Sequence, residues 1–469
     1  MIGRLALRSL TAHPVRSAVL AAGFGVGVGV MAILLGVAEI VLDQSRDPAL
    51  VGGGDVVIRL GPQVPARLLL TGTLQSDALR SRIQVASPSH GTSLYLMRNG
   101  RGTRVSARGG IPSLERALGD DETSSVSAWR DGPDDVVWTQ DTPDKVLRQI
   151  DRFHPIPTKT EWDASWAEWL YFNGRAADAR FYLTFIAGAA RDDPSTSLRA
   201  GGRRGAGVRL QLDRNGKVET FGEGALITEA EAQRAPDLTI GASTVRLEGL
   251  RYRIHLDLPG EKGRRVRGDL TSLASPGRLV PPLEITGARG WRSGYVVPVM
   301  SGALDGELVV DGERVSLAGG TGYHDHNWGF WQGVSWQWGQ VQAGDLALLY
   351  GRVFPPREAA DPDRVQGFLG VLGPDGPLAY ASNVTITETD DERGQPRTIA
   401  IRARSSGLNV QVRFDAASAV TTQMGGPLNA NGLDFLQLRG TYTVEGRAAD
   451  RELNFSAPGS AETFRGRGN

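Results

Sequence analysis

Two histidines two residues apart, with an aspartate between them and a tryptophan two positions on, set YHDHNW (Tyr323–Trp328) apart from the rest of this chain. The stretch sits within TGYHDHNWGFWQGVSWQW (Thr321–Trp338), which holds two of the chain's six histidines, His324 and His326, and four of its ten tryptophans, Trp328, Trp331, Trp336 and Trp338. On a strand, the two-residue period sends His324, His326 and Trp328 to one face and Tyr323, Asp325 and Asn327 to the other. Either face mixes groups that exchange protons with flat apolar surface, the combination expected where something is bound or protonated. One alternative is structural, because Asp-His-Asn clusters also hydrogen-bond backbone and lock the closure of a barrel. The tryptophans serve equally as barrel core and domain-interface filling. A metal site is not expected, since His-x-His supplies two ligands and the sequence offers no third. No G-x-S-x-G, phosphate-binding loop or H-E-x-x-H is present, so the common hydrolases and nucleotide enzymes are unsupported.

The elements that must position these residues read as β structure. The 469 residues suffice for two or three domains with sizeable cores. Lys+Arg and Asp+Glu both number 52, so charge points to no nucleic-acid partner. The absence of cysteine excludes disulfides, thiolate metal sites and thiol nucleophiles. From Phe153–Pro157 (FHPIP) onward the chain is a series of short alternating runs. WAEWLYFNG (Trp166–Gly174) and ARFYLTFIAG (Ala179–Gly188) predict two aromatic-rich strands, and Asp192–Gly207, rich in Gly, Arg and Ser, predicts a disordered loop. Asn215-Gly216, Asp311-Gly312 and Pro374-Asp375-Gly376 are hairpin signals. Turns every 8–15 residues without a long amphipathic helix imply sandwiches or barrels. Residues 155–469 are enough for two barrels, dividing near 290–300.

Upstream, residues 51–150 read as a mixed segment. Val56–Leu60, Ser93–Met97 and Thr103–Ala107 suggest strands, while Ile111–Leu118 and Pro143–Ile150 suggest short helices. Asp120, Asp121, Glu122, Asp134 and Asp135 are expected in a solvated loop. The first 17 residues carry Arg4, Arg8 and Arg16 and no acid, and Ala18–Leu42 carries one charge, Glu39. At about 1.5 Å per residue that run exceeds the roughly 30 Å of a bilayer's hydrocarbon. The positive flank before it, and Asp43 and Asp47 after it, place the N-terminus in the cytoplasm and the remainder outside. A cleaved signal peptide is the alternative; its apolar region is usually shorter and ends in a small-x-small site. Gly23/Gly27 and Gly25/Gly29 would let a second helix approach closely.

Two resemblances add to this. LALRSLTAHPVRSAVLAAGFGVGVGV, followed by GGGDVVI at Gly52–Ile58, is similar to the first transmembrane helix and early periplasmic strand of FtsX/MacB-type ABC transporter permeases. Those have four helices and this chain one, so the likeness implies a membrane address and a transporter neighbour rather than a transport pathway. WAEWLYFNG, a strand ending in LTF, GYHDHNWG and the terminal GSAETF (Gly459–Phe464) together resemble the AttH/carotenoid 1,2-hydratase family over roughly residues 155–469. That resemblance implies two tandem lipocalin-like, calycin-type antiparallel β-barrels. It also implies a chemistry in which an acid protonates an alkene, aromatic faces stabilise the carbocation and a water is positioned. Asp325 or protonated His326 would be the donor, Trp328 a π face, and Tyr350, in LALLYGRVF (Leu346–Phe354), the orienter of water. Tyr323, His324, Trp336 and Trp338 would contact the ligand. A carboxylic acid in this role needs its pKa raised by an apolar site. One departure stands out: where a hydratase should carry a second acid, this chain reads Gly351-Arg352-Val353.

The resulting expectation is a mainly β protein: a cytoplasmic N-terminus and anchor (1–45), a mixed α/β segment (46–152), a first barrel (153–295) and a second carrying YHDHNWG (296–469). It would be a single-pass inner-membrane protein with its C-terminal domains in the periplasm, binding an apolar lipid or isoprenoid without a cofactor. The alternatives are a hydro-lyase adding water to an isoprenoid double bond and an accessory subunit of an ABC transporter.

Overall fold

The computed structural model describes residues 83–98, 101–120, 125–133, 143–157, 160–177, 179–190, 203–214, 216–275, 278–374, 376–423 and 433–466, with a few isolated positions besides. The candidate anchor Ala18–Leu42 and the permease-like run lie outside the described residues. Among the described residues, no helix is long and apolar enough to cross a membrane. Val56, Val57 and Ile58, expected to begin a strand, are exposed and belong to no described strand.

The chain divides into two compact units, one holding residues 85–136 and the other residues 137–469. In the first, β1 (Ser89–Arg98) and β2 (Arg101–Gly110) form an antiparallel hairpin, followed by α1 (Pro112–Ala117), which starts on proline as expected. Asp120 corrects the expectation of a solvated loop. It is buried, paired with Arg108 at 2.8 Å and hydrogen-bonded by Thr123. Arg108 also reaches the buried Glu115 at 3.2 Å, so the acids are drawn inward by a cation that the loop reading overlooked. Asp121, Glu122 and Asp134 lie outside the described residues.

The second unit opens with α2 (Pro143–Ile150) and continues as β3 (Trp166–Ala176), β4 (Ala179–Ala190), β5 (Arg203–Arg214), β6 (Lys217–Thr228), the single-turn α3 (Glu229–Ala232), β7 (Leu238–Ile240), β8 (Ser243–Glu248), β9 (Arg251–Pro259), β10 (Arg265–Leu273), β11 (Val280–Thr286), β12 (Arg292–Val310), β13 (Glu313–Ser316) and β14 (Gly320–Phe330). These strands build one sheet in the order β6-β5-β4-β3-β14-β12-β10-β9-β8-β7, with β11 and β13 paired to β12. A bridge from Phe221 to Gly260 brings the β6 edge back toward the chain after β9, so the ten-stranded path is a nearly closed barrel. Then follow β15 (Ser335–Ala343), β16 (Leu346–Phe354), β17 (Phe368–Gly373), β18 (Gly376–Ala381), β19 (Asn383–Asp390), β20 (Pro396–Ser405), β21 (Leu408–Gln423), β22 (Leu433–Ala448) and β23 (Arg451–Gly466). They form a second nearly closed barrel of nine strands, ordered β18-β17-β16-β15-β23-β22-β21-β20-β19.

The predicted hairpins sit where the turn residues put them. At Asp311-Gly312 both residues have positive φ, 51° and 92°, the requirement of a type I′ turn, and β12 meets β13 across it. Arg203–Gly207, assigned above to a disordered loop, is instead the start of β5. Arg204 explains why. Its guanidinium is buried, bonded to the Glu229 carboxylate at 2.6 and 2.7 Å and to the His154 carbonyl at 3.2 Å, and this anchors the strand.

Two boundaries also differ from the sequence reading. A division at 295/296 would cut through β12, and the chain changes sheets only between Phe330 and Ser335. The motif strand β14 therefore belongs to the first barrel, inserted between β3 and β12. The physical reason is pairing: β14 shares an unbroken ten-residue register with β3, from Thr321↔Arg175 to Phe330↔Trp166. Likewise Val146, Leu147 and Ile150 of α2, and Phe153 after it, pack into the first barrel's core and so belong with that barrel. A separate cluster holds the two barrels together. Tyr171, Tyr182, Val297, Met300 and Tyr323 from the first meet Trp338, Ala347, Leu349 and Leu372 from the second. Of these, the fully buried Val297, Met300 and Leu349 each contribute on the order of 2 kcal/mol.

Candidate functional site

Because β14 is wedged between two strands of one barrel and backs onto the other barrel, its alternation separates two chemistries. On the inner face, His324, His326 and Trp328 sit across from Phe172, Leu170 and Glu168 of β3. Both histidines are wholly buried. The His324 ring stacks on Phe172 at 4.0 Å, donates from Nδ1 to the Tyr171 carbonyl (3.0 Å), and meets Asp151 Oδ2 at 2.9 Å through Nε2. His326 meets Glu168 Oε1 at 2.9 Å through Nε2 and faces Asp151 Oδ1 at 3.4 Å through Nδ1. Asp151 also accepts from the Tyr252 hydroxyl (3.0 Å). Glu168 accepts from the His154 backbone N–H, 2.9 Å to each oxygen, and from that residue's Nδ1 at 2.7 Å. His154, with one third of its side chain exposed, stacks on Trp328 at 4.4 Å.

The ionisation of this inner network follows from its partners. Burial would push Asp151 and Glu168 up, yet the imidazoles that face them hold both carboxyls below the usual range. Burial would lower His326, but Asp151 and Glu168 raise it to about 9. Two carboxylates wholly cut off from solvent are thus held charged by three imidazoles and a phenol.

The outer face of β14 is the reverse. Tyr323, Asp325 and Asn327 point into the seam between barrels, where the Tyr323 hydroxyl bonds Asp325 Oδ2 at 2.9 Å and Asn327 Nδ2 donates to Oδ1 at 2.8 Å. Tyr323 meets the Tyr295 hydroxyl at 2.7 Å, and that hydroxyl accepts from the Trp338 indole at 2.8 Å. Across the seam Tyr171 donates to Glu462 Oε1 of β23 at 2.6 Å. Burial, reinforced by Glu462, pushes Asp325 well above the carboxylate range. Burial likewise raises Glu462 to about 7, despite contact with Tyr171, Gln437 and the Trp336 indole. The phenols of Tyr171, Tyr295 and Tyr323 are all raised, so they remain donors. Half-buried Trp169, Tyr295, Trp336 and Phe368 ring the outer end of this cluster, and Trp336 stacks on Phe464 at 4.2 Å. At the other end the seam is polar, lined by Asn173, Arg175, Arg180, Gln340 and Ser460.

The residues singled out from the sequence therefore do not form one group. Tyr323, Asp325, Trp336 and Trp338 gather in the seam. His324, His326 and Trp328 gather inside the first barrel, where the Trp328 indole donates to Glu284 at 3.2 Å. Tyr350 joins neither, being buried in the core of the second barrel beside Tyr442. Arg352 shares Tyr350's face of β16, lies over the Phe354 ring at 4.5 Å and donates to the Pro362 carbonyl, so it does not confront Asp325. The sequence reading missed Asp151, His154, Glu168, Tyr171, Tyr295 and Glu462. Glu168 carried a usable signal, because it falls on the same strand face as Trp166, Leu170 and Phe172, where a charge needs a partner. Glu462 lay within GSAETF without being singled out, and Asp151 carried no signal, since its partners are distant in sequence.

No family model matches the chain, and no curated protein matches it. Among solved structures, the chain is similar to a protein of Nitrosomonas europaea provisionally described as AttH, at 15% identity over 66% of this chain and 99% of that one, with a TM-score of 0.42. It is also similar to CghA, at 14% identity over 70% of this chain and 97% of that one, TM-score 0.40. The structure of CghA with Sch210972 aligns at 13% identity over 69% and 94%, TM-score 0.39.

Proposed function

We propose that this chain binds an apolar small molecule of lipid or isoprenoid type in the seam between its two barrels. The observation that carries this reading is the pair of raised carboxyls, Asp325 and Glu462, set among phenols and indoles with half-buried aromatic rings at one end. Raised carboxyls keep their protons to higher pH than exposed ones, and in the protonated form can lie against hydrocarbon without the cost of a buried charge. The polar end, with Arg175 and Arg180 near Ser460 and the Gly459 carbonyl, suits the head of an amphiphile. In this proposal the run Ala18–Leu42 anchors the chain in the inner membrane and the barrels work beside it, in the periplasm.

A second reading rests on the same acids. Protonated Asp325, hydrogen-bonded to Tyr323 and backed by the indole of Trp338 through Tyr295, has the properties of a proton donor to an alkene. The aromatic faces would stabilise the resulting carbocation, and the chain would be a hydro-lyase.

The test is native extraction of the full chain from membranes and mass spectrometry of what remains bound, with the Trp336→Ala protein alongside. One retained apolar species, lost in the Trp336 variant, supports the seam as the site. An empty wild type, or retention unaffected by the variant, removes it. Asp325→Asn then separates the two readings: a carrier keeps its ligand, whereas an enzyme keeps the ligand but stops turning it over.

A further inference from the structure

The geometry points to a site for a divalent transition metal of the zinc class at His154, Glu168 and His326, on the inner side of the first barrel. Three donor atoms, His154 Nδ1, Glu168 Oε1 and His326 Nε2, lie within 4.8 Å of one another. Both imidazole nitrogens converge on the one carboxylate oxygen, at 2.7 and 2.9 Å. A tetrahedral zinc with bonds of about 2.0–2.2 Å needs its ligand atoms roughly 3.4 Å apart. The two imidazole–carboxylate separations would have to widen by about 0.5–0.7 Å to meet it. His154 provides that freedom, being the one member with appreciable exposure.

What stands behind the donors matches what a bound metal requires. A metal on His326 Nε2 leaves Nδ1–H to find an acceptor, and Asp151 Oδ1 faces it at 3.4 Å. These two atoms are buried and otherwise without a hydrogen bond, so a metal that fixes this tautomer gives both a use. Asp151 is in turn held by Tyr252 and His324. Glu168 is pinned by the backbone N–H of His154, which donates to both of its oxygens.

Charge leads the same way. Asp151 and Glu168 are wholly buried, and their hydrogen-bonding partners are imidazoles, a phenol and one backbone amide, with no lysine or arginine. A divalent cation bound at these donors would balance the two buried carboxylates where no lysine or arginine does so. Two nitrogens and one carboxylate favour zinc and its neighbours in the first transition row over calcium or magnesium. Trp328, stacked on His154 and 5.3 Å from the His326 ring, packs against both imidazoles. The other two ligands were invisible in the sequence, because His154 and Glu168 lie more than 150 positions before His326; Glu168 is brought to it by the β3–β14 register, and His154 by its contacts with Glu168.

The experiment uses the purified full chain, stripped with a chelator and titrated with zinc against a chromophoric competitor, then loaded with cobalt(II) and read by visible absorption. One equivalent of zinc per chain, with the intense bands of a four-coordinate cobalt site, is expected. His154→Ala, a partly exposed position, should keep the far-ultraviolet circular dichroism and weaken zinc by at least tenfold. His255→Gln, at the exposed His255–Asp269 pair, should change nothing. Stoichiometric binding that survives His154→Ala and Glu168→Gln, or a folded wild type that binds no zinc, overturns the proposal.

Discussion

The two faces of β14 hold the same kinds of group and settle them in opposite states. Inside the first barrel, carboxylates meet imidazoles, and Asp151 and Glu168 are held ionised. One residue away along the strand, burial and the field of a second acid push Asp325, which meets a phenol and an amide, well above the carboxylate range. Burial is nearly complete on both sides, so burial alone does not decide the charge. The partner decides it: an imidazole accepts a carboxyl's proton, whereas a phenol of raised pKa can only share its own. The inner face is therefore a set of paired charges, and the outer face a set of acids whose protons are held to higher pH.

The largest expected effect lies on the charged side. Glu168→Leu strands His326 and His154 opposite a missing carboxylate and should cost roughly 3–5 kcal/mol, as for other buried pairs broken from one side. Urea unfolding monitored by tryptophan fluorescence measures it, and a loss under about 1 kcal/mol would mean that the network does not hold the barrel together.

The neutral side predicts a pH dependence of opposite character. Glu462 rises from an ordinary 4.5 to about 7 in the folded chain. Below pH 4.5 it is protonated in both states and costs nothing. As pH climbs from about 4.5 to about 7, the unfolded chain releases this proton while the fold retains it, so stability falls. The loss is roughly 3 kcal/mol by pH 7 and levels off above. Melting curves across that window, with Glu462→Gln as reference, check the sign, since the variant should lose this slope. A wild-type profile no steeper than the variant's would place Glu462 among ordinary ionised carboxylates.

A smaller effect is expected where the seam's hydrogen bonds are neutral. Trp338→Phe removes the indole N–H from the Tyr295 hydroxyl and some packing from the inter-barrel cluster, for about 1–2 kcal/mol in denaturant. Smallest of all should be Asp325→Asn. Its amide is close in shape to the neutral acid and can still meet Tyr323 and Asn327, so stability should move by less than about 1 kcal/mol. A drop comparable to that of Glu168→Leu would show Asp325 charged and erase the contrast between the faces.

Much of the local structure could be read from residue order. The hairpin at Asp311-Gly312 follows from a backbone conformation that few residues adopt, and the opposite facing of His326 and Asp325 follows from the period of a strand. The count of short alternating runs pointed to sandwiches or barrels, and the family resemblance implied a tandem pair of barrels. Sheet membership was not available in this way. β14 leaves its chain neighbour β15 and pairs with β3, some 150 residues earlier, so the motif belongs to the first barrel while Trp336 and Trp338 belong to the second. That pairing brings Glu168 to His326, the packing of α2 into the first barrel brings Asp151 to both histidines, and the packing of the second barrel brings Glu462 toward Asp325. Sequence alone determined which residue types share a strand face, because that depends only on neighbouring dihedral angles. Which acid meets which base depends on contacts between distant segments, and so on the tertiary fold, which set the charge of every carboxyl discussed here.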